Sequence, residues 1–155
     1  MTYNIDLQIT VENCYTPSRT KLEQWVTETL LPYKKEAEIC IRLVNETESA
    51  FLNETYRKKT GPTNILSFPS EIPDDLPLKQ SFLGDLVICP SVLENEAQQQ
   101  NKSLEAHWAH IVIHGLLHLL GYDHVEEKPA EVMEGLEIQI LKILGYPNPY
   151  EQQGE

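Results

Sequence analysis

With 155 residues and a mass of 17.8 kDa, the chain has the size of one compact domain and can bury a real core. Its 24 Asp and Glu against 12 Lys and Arg give a formal charge of −12, and 41% hydrophobic with 23% charged residues is a globular balance rather than a disordered one. That acidity excludes a surface that attracts polyanions or anionic membrane everywhere, so any nucleic-acid contact has to be local.

Tyr3, Ile5, Leu7, Ile9 and Val11 alternate with mostly polar neighbours, the period of a strand with one buried face. Thr16-Pro17 then supplies a cap and a first-turn proline, and Leu22, Trp25, Val26, Thr29 and Leu30 recur at helical spacing up to Pro32. Ile39 to Val44 reads as a second strand. Asn45 to Tyr56 reads as a short amphipathic helix anchored by Ala50, Phe51 and Leu52. The basic turn Arg57-Lys58-Lys59-Thr60-Gly61-Pro62 interrupts the pattern before a strand-like run from Thr63 to Phe68. Pro69 to Leu78, with three prolines and Glu71, Asp74 and Asp75, reads as an irregular surface loop. Leu83 to Cys89 reads as a central strand, and Pro90 opens a helix that runs to about Gln100. Ser103 to Leu120 forms a long buried helix ended by Gly121. Pro129 opens a last helix with Val132, Leu136, Ile140 and Ile143 on one face. Four strands and five helices, with no repeat or linker, predict an α+β fold: one domain over 1–150, a small sheet covered by helices, and a loose tail over 151–155.

The longest stretch free of Asp, Glu, Lys and Arg runs from Ala106 to Tyr122, but it holds four histidines and falls short of the roughly 20 apolar residues that span a bilayer. The first residues lack a basic start followed by an apolar block, so the expected address is the cytoplasm. Cys14, Cys40 and Cys89 are odd in number, widely spaced and never in a C-x-x-C pair, which predicts reduced thiols rather than disulfides or a cysteine metal site.

All five histidines fall between His107 and His124. His114 and His118 are four apart, so on a helix their rings lie within ~40° of one another and roughly 6 Å apart along the axis, a separation one metal ion can bridge. Gly121 can turn the chain sharply and return His124 toward the first two rings. Three imidazoles with no obvious fourth ligand leave a position for water, the arrangement of a catalytic rather than a structural zinc site, and hydrolysis is the natural inference. His107 and His110 share the helical face with His114 and read as hydrogen-bonded supports of the ligands or as core groups rather than as further ligands. Asp123 either orients a ligand ring or ligates the ion itself, or else serves the turn as a capping residue. The same spacing occurs in metzincin proteases, whose general-base Glu follows the first histidine; here that place is Gly115, which weighs against peptide cleavage.

The run His114-Gly115-Leu116-Leu117-His118-Leu119-Leu120-Gly121-Tyr122-Asp123-His124 resembles the YbeY family of bacterial rRNA-maturation endoribonucleases, whose signature is H-G-x-L-H-L-x-G-Y-D-H. Tyr56-Arg57, Pro62-Thr63-Asn64-Ile65-Leu66-Ser67-Phe68-Pro69 and Leu83-Gly84-Asp85-Leu86-Val87-Ile88 resemble the family's other blocks in the same order. The resemblance implies one Zn2+ held by His114, His118 and His124, a functional Arg57, and a metal-dependent single-strand endoribonuclease of rRNA maturation and ribosome quality control. It also implies a mixed four-stranded sheet, and contact with the small ribosomal subunit and an Era-type GTPase. RNA is the expected partner, with neither DNA nor membrane. Arg57 can hold a phosphate by paired hydrogen bonds. Lys58 and Lys59 would add local positive potential, Asn64 is a candidate substrate contact, and Asp85 is either a structural carboxylate in the sheet or a support for the ligands. The nucleophile is water or the RNA's own 2′-hydroxyl. Two other readings are a metallohydrolase of peptide or small acyl substrates, and a non-enzymatic ribosome-assembly module whose metal pins the loop at Gly121.

Overall fold

Apolar and β-branched runs pair wherever the sequence marks extended chain. The computed structural model describes residues 2–70, 82–122 and 127–150. In it β1 (Thr2–Ile9), β2 (Glu36–Leu43), β3 (Ile65–Pro69) and β4 (Phe82–Ile88) form a four-stranded sheet in the order β1-β2-β4-β3. β2 lies parallel to both β1 and β4, whereas β3 runs antiparallel to β4 and forms an edge. Parallel neighbours require long crossovers. α1 (Arg19–Leu30) provides the first, and α2 (Glu46–Arg57) lies within the second. The remaining helices are α3 (Pro90–Gln99), α4 (Leu104–Leu119) and α5 (Glu127–Leu144). The expected α+β fold with a mixed four-stranded sheet and five helices is therefore the observed one. No helix among the described residues is long and apolar enough to cross a membrane.

α1 starts two residues later than the Thr16 cap predicts, because it is the Ser18 hydroxyl that accepts from the Lys21 amide, at 3.2 Å. Its inward face is Leu22, Trp25, Val26, Thr29 and Leu30, as the spacing requires. α2 differs from expectation in what holds it. Phe51 is 64% exposed, and the buried positions are Ser49 and Asn53. The Ser49 hydroxyl donates to the Thr63 carbonyl and accepts from the Thr63 amide, while the Asn53 side-chain amide donates to the Gly61 carbonyl at 2.9 Å. Polar bonds to the turn that follows thus fix this helix to the sheet edge.

α4 is the hub, packing against α1, α3, α5, β3 and β4. Its Trp108, Val112, Ile113, Leu116 and Leu117 are fully enclosed in one core with Trp25, Ile39, Ile41 and Leu86. A smaller cluster of Val44, Leu66 and Val87, with Leu52 and Phe68 against it, fills the other sheet face beneath α2. α5 starts at Glu127 rather than Pro129, and its inward face is rotated from the expected one. Met133, Glu137, Ile140 and Leu141 are buried, whereas Val132 and Ile143 face water. The rotation arises because a carboxylate, Glu137, occupies the buried stripe, and a pattern drawn through apolar residues alone steps around it. Of the expected surface loop, Pro69 ends β3 and Ser70 donates its amide to Leu83 at 3.0 Å. The rest of that loop and the 151–155 tail lie outside the described residues.

Gly84 sits in β4 at φ +151°, where a Cβ would collide with the Phe68 carbonyl oxygen and lie 2.8 Å from Leu119 Cδ2. Backbone strain and overpacking together put the cost of Gly84→Ala at about 2–4 kcal/mol. The expected outcome is a lower urea midpoint with an unchanged slope.

Candidate active site

Close approach of α4 to the sheet sets the site. A Cβ at Gly115 would lie 2.5 Å from Ile65 Cδ1 and 2.9 Å from Leu86 Cδ2, so only a residue without a side chain lets the helix settle on β3 and β4. The Ser67 hydroxyl donates to the Gly115 carbonyl across this contact, at 3.3 Å. No glutamate of metzincin type can occupy position 115 in this packing. The contact leaves His114 and His118, one helical turn apart, at the edge of the sheet beside β3.

The two rings are nearly perpendicular, at 80°, with centroids 4.6 Å apart and their Nε2 atoms 3.2 Å apart. Tetrahedral zinc with Zn–N bonds of about 2.0–2.1 Å sets two ligand nitrogens roughly 3.3 Å apart, so the pair fits the group the sequence implies. His114 is held from behind. Its Nδ1 lies 2.7 Å from Glu137 Oε2, and His110 Nε2 lies 3.0 Å from Glu137 Oε1. Glu137 has no solvent exposure and also accepts from the Tyr150 hydroxyl. Burial alone would raise its pKa, but the bonds from His110, His114 and Tyr150 hold it down at about 2. An ionised carboxylate only accepts, so both imidazole nitrogens that face it carry their protons. His114 in its neutral form therefore turns the lone pair of Nε2 toward His118. Burial pushes the His110 pKa down against the pull of Glu137, and burial followed by Glu137 pushes that of the Tyr150 phenol up.

Donor atoms of His110, His114 and Glu137 all lie within 4.8 Å of one another, which makes them a possible metal-holding group among the described residues. Their separations of 2.7 and 3.0 Å are those of hydrogen bonds. His110 and His114 thus share Glu137 as their hydrogen-bond partner. Glu137 is the residue that sequence reasoning missed. Its signal was available: it stands four after Met133 and three before Ile140, a lone charge inside an apolar stripe.

At the end of α4, Gly121 takes φ +106°. Its amide donates to His118 and the Tyr122 amide to Leu117, both at 3.0 Å, the paired closure of a Schellman turn. The helix therefore stops here and the chain turns at Gly121, the turn residue that the spacing predicts. His124 and Asp123 themselves lie outside the described residues.

A cleft of about 650 Å³ runs along β3, the edge strand among the described residues. Arg57, at the end of α2, lines one side of it and His114 and His118 the other. None of the described lining residues is acidic, in a chain with 24 Asp and Glu. Asn64 lines it too, but part of its bonding is internal: Oδ1 accepts from the Ile65 amide and Nδ2 donates to Glu96. Glu96 in turn meets His107 Nε2 at 2.9 Å, which makes His107 a buried histidine with a half-buried carboxylate partner. Lys58 and Lys59 are exposed outside the lining, and Lys58 folds back to donate to the Thr55 carbonyl. Asp85 lies on the other side of the sheet from Gly115 of the histidine helix. Its neighbour Leu86 faces Gly115, so alternation turns Asp85 to the opposite face. There it bonds the Cys40 thiol, whose pKa burial and Asp85 push up to about 11.

The family described as endoribonuclease YbeY matches residues 6–145. The chain belongs to the YbeY endoribonuclease family. The solution structure of TM1509 from Thermotoga maritima covers 99% of this chain and 99% of its own, at 24% identity and a TM-score of 0.57, a likeness that shows the fold. The YbeY match runs from within β1 to just past the end of α5, so it takes in Glu137 as well as the histidine helix.

Removing that carboxylate is the sharpest test of the arrangement. Glu137→Ala leaves the N–H groups of His110 and His114 buried without their acceptor, at a cost of about 3–5 kcal/mol. Glu137→Gln keeps one carbonyl acceptor and is expected to lose less. Urea denaturation of the two variants beside the parent protein gives the ranking.

Proposed function

We propose that this chain is a metal-dependent single-strand endoribonuclease of rRNA maturation and ribosome quality control, with His114, His118 and His124 holding one Zn2+. The observation that carries the reading is the pair of Nε2 atoms 3.2 Å apart on the wall of the cleft that Arg57 lines from the other side. When bound, Zn2+ supplies Lewis acidity to a phosphoryl oxygen and lowers the pKa of water. The chain's own residues do the rest. Glu137 fixes the tautomer and orientation of His114, and His110 and Tyr150 keep Glu137 in place. Arg57 grips the scissile phosphate through paired N–H donors and stabilises the charge that grows on it during cleavage. Lys58 and Lys59 raise the local potential at the mouth of the cleft, Asn64 contributes a polar contact, and Asp123 orients His124 or joins the ligand set.

A charge of −12 calls for help in holding RNA, because phosphate contacts are normally supported by clustered Lys and Arg. Docking on the small ribosomal subunit and on an Era-type GTPase supplies it in this proposal. The described residues that line the cleft include no acid, which favours local entry of a phosphate chain. Residues 1–150 act as one unit, in the cytoplasm, where Cys14, Cys40 and Cys89 stay free thiols. One feature favours peptide hydrolysis instead: β3, the edge strand among the described residues, could pair with an extended peptide. Gly115 removes the base such a reaction uses, so the RNA reading ranks first.

Arg57→Ala is expected to keep its metal content and lose about 10²–10³ in the rate of single-stranded RNA cleavage. His118→Ala is expected to lose both metal and cleavage. Metal analysis and cleavage assays on protein stripped and reloaded with defined ions decide the matter. Undiminished cutting by metal-loaded Arg57→Ala would take the arginine out of the reaction, and a metal-dependent cut in peptides with RNA left whole would reverse the ranking.

A further inference from the structure

Beside Arg57 the rim of the cleft carries a large ring left in water. Tyr56 is 62% exposed and meets Phe68 edge to face, with centroids 5.2 Å apart and planes at 73°. Both residues line the same cleft as Arg57, His114 and His118. Neither ring is loosely mounted. Phe68 rests on the Val44, Leu66 and Val87 cluster, and α2 is fastened by the Ser49 and Asn53 hydrogen bonds to Thr63 and Gly61. An aromatic held at that angle keeps a face open to the solvent of the cleft.

We propose that Tyr56, braced by Phe68, is a stacking platform for one nucleobase of the RNA strand whose phosphate Arg57 holds. The inference rests on the endoribonuclease reading and adds to it the physical source of strand selectivity. A base inside a duplex has both faces covered by its neighbours. An unpaired base has a face to offer, and every base offers one, so such a platform selects single strands without selecting sequence. Charge agrees with the assignment. The absence of acidic side chains among the described lining residues and the guanidinium next in sequence to the ring suit a sugar-phosphate chain running past a stacked base.

The test is steady-state cleavage of a short single-stranded ribo-oligonucleotide by metal-loaded full-length protein, as the parent, Tyr56→Ala and Tyr56→Phe. A second set of substrates carries one abasic position walked along the strand. Loss of the ring is expected to raise KM roughly 10- to 100-fold with metal content unchanged, and Tyr56→Phe, which keeps the ring, restores it. The parent should suffer at one abasic position near the cut, and Tyr56→Ala should be indifferent to that same position. A Tyr56→Ala variant with parental KM, or one that suffers at the same abasic position as the parent, overturns the platform while leaving the RNA reading intact. A parent protein that cuts no RNA overturns both.

Discussion

A helix and a sheet meeting without a side chain between them is the contact on which the molecule turns. Gly115 brings α4 against Ile65 and Leu86, and α4 in turn touches α1, α3, α5 and both strands of the sheet's antiparallel pair. Packing of this density resists small shifts, because each displaced methyl group forfeits contacts on several sides. The positions of His114 and His118 are inherited from that packing. They stand at the sheet edge because the residue between them and the strands admits nothing larger than hydrogen.

Burying nearly the whole circumference of α4 raises the problem of its polar residues. Three of its histidines lie on the side that meets α3 and α5, and two carboxylates answer them: Glu96 for His107, and Glu137 for His110 and His114. A buried charge is tolerable only when both of its oxygens are hydrogen-bonded. Glu137 meets that condition through two imidazoles and the Tyr150 hydroxyl, and Lys102 holds the same terminal segment by donating to the Pro149 carbonyl at 2.7 Å. The network that stabilises the core is thus the one that aims the ring at the cleft.

Much of the architecture was legible because periodicity and turn chemistry act locally. The alternation in β1, the Pro90 start of α3, the Ser103 cap and Gly121 end of α4, and the inward face of α1 follow from neighbours within one or two turns. What could not be read depends on distant partners. Ser49 and Asn53 look like surface residues until Thr63 and Gly61 come to meet them, and Glu137 looks like surface charge until two histidines from another helix arrive. Of the site, the pair on α4 was plain from a spacing of four. The opposition of Arg57 to that pair across the β3 edge was not, because strand order decides it.

Glu137 reaches His114 across 23 residues of chain, and Tyr150 closes on Glu137 a further 13 along. During synthesis from the amino end, α4 emerges with its apolar flanks and imidazoles before its carboxylate partner on α5 has been made. The two imidazoles on α4 are therefore synthesised before the carboxylate that orients them, and the orientation of His114 is fixed only once α5 and Tyr150 have joined the chain.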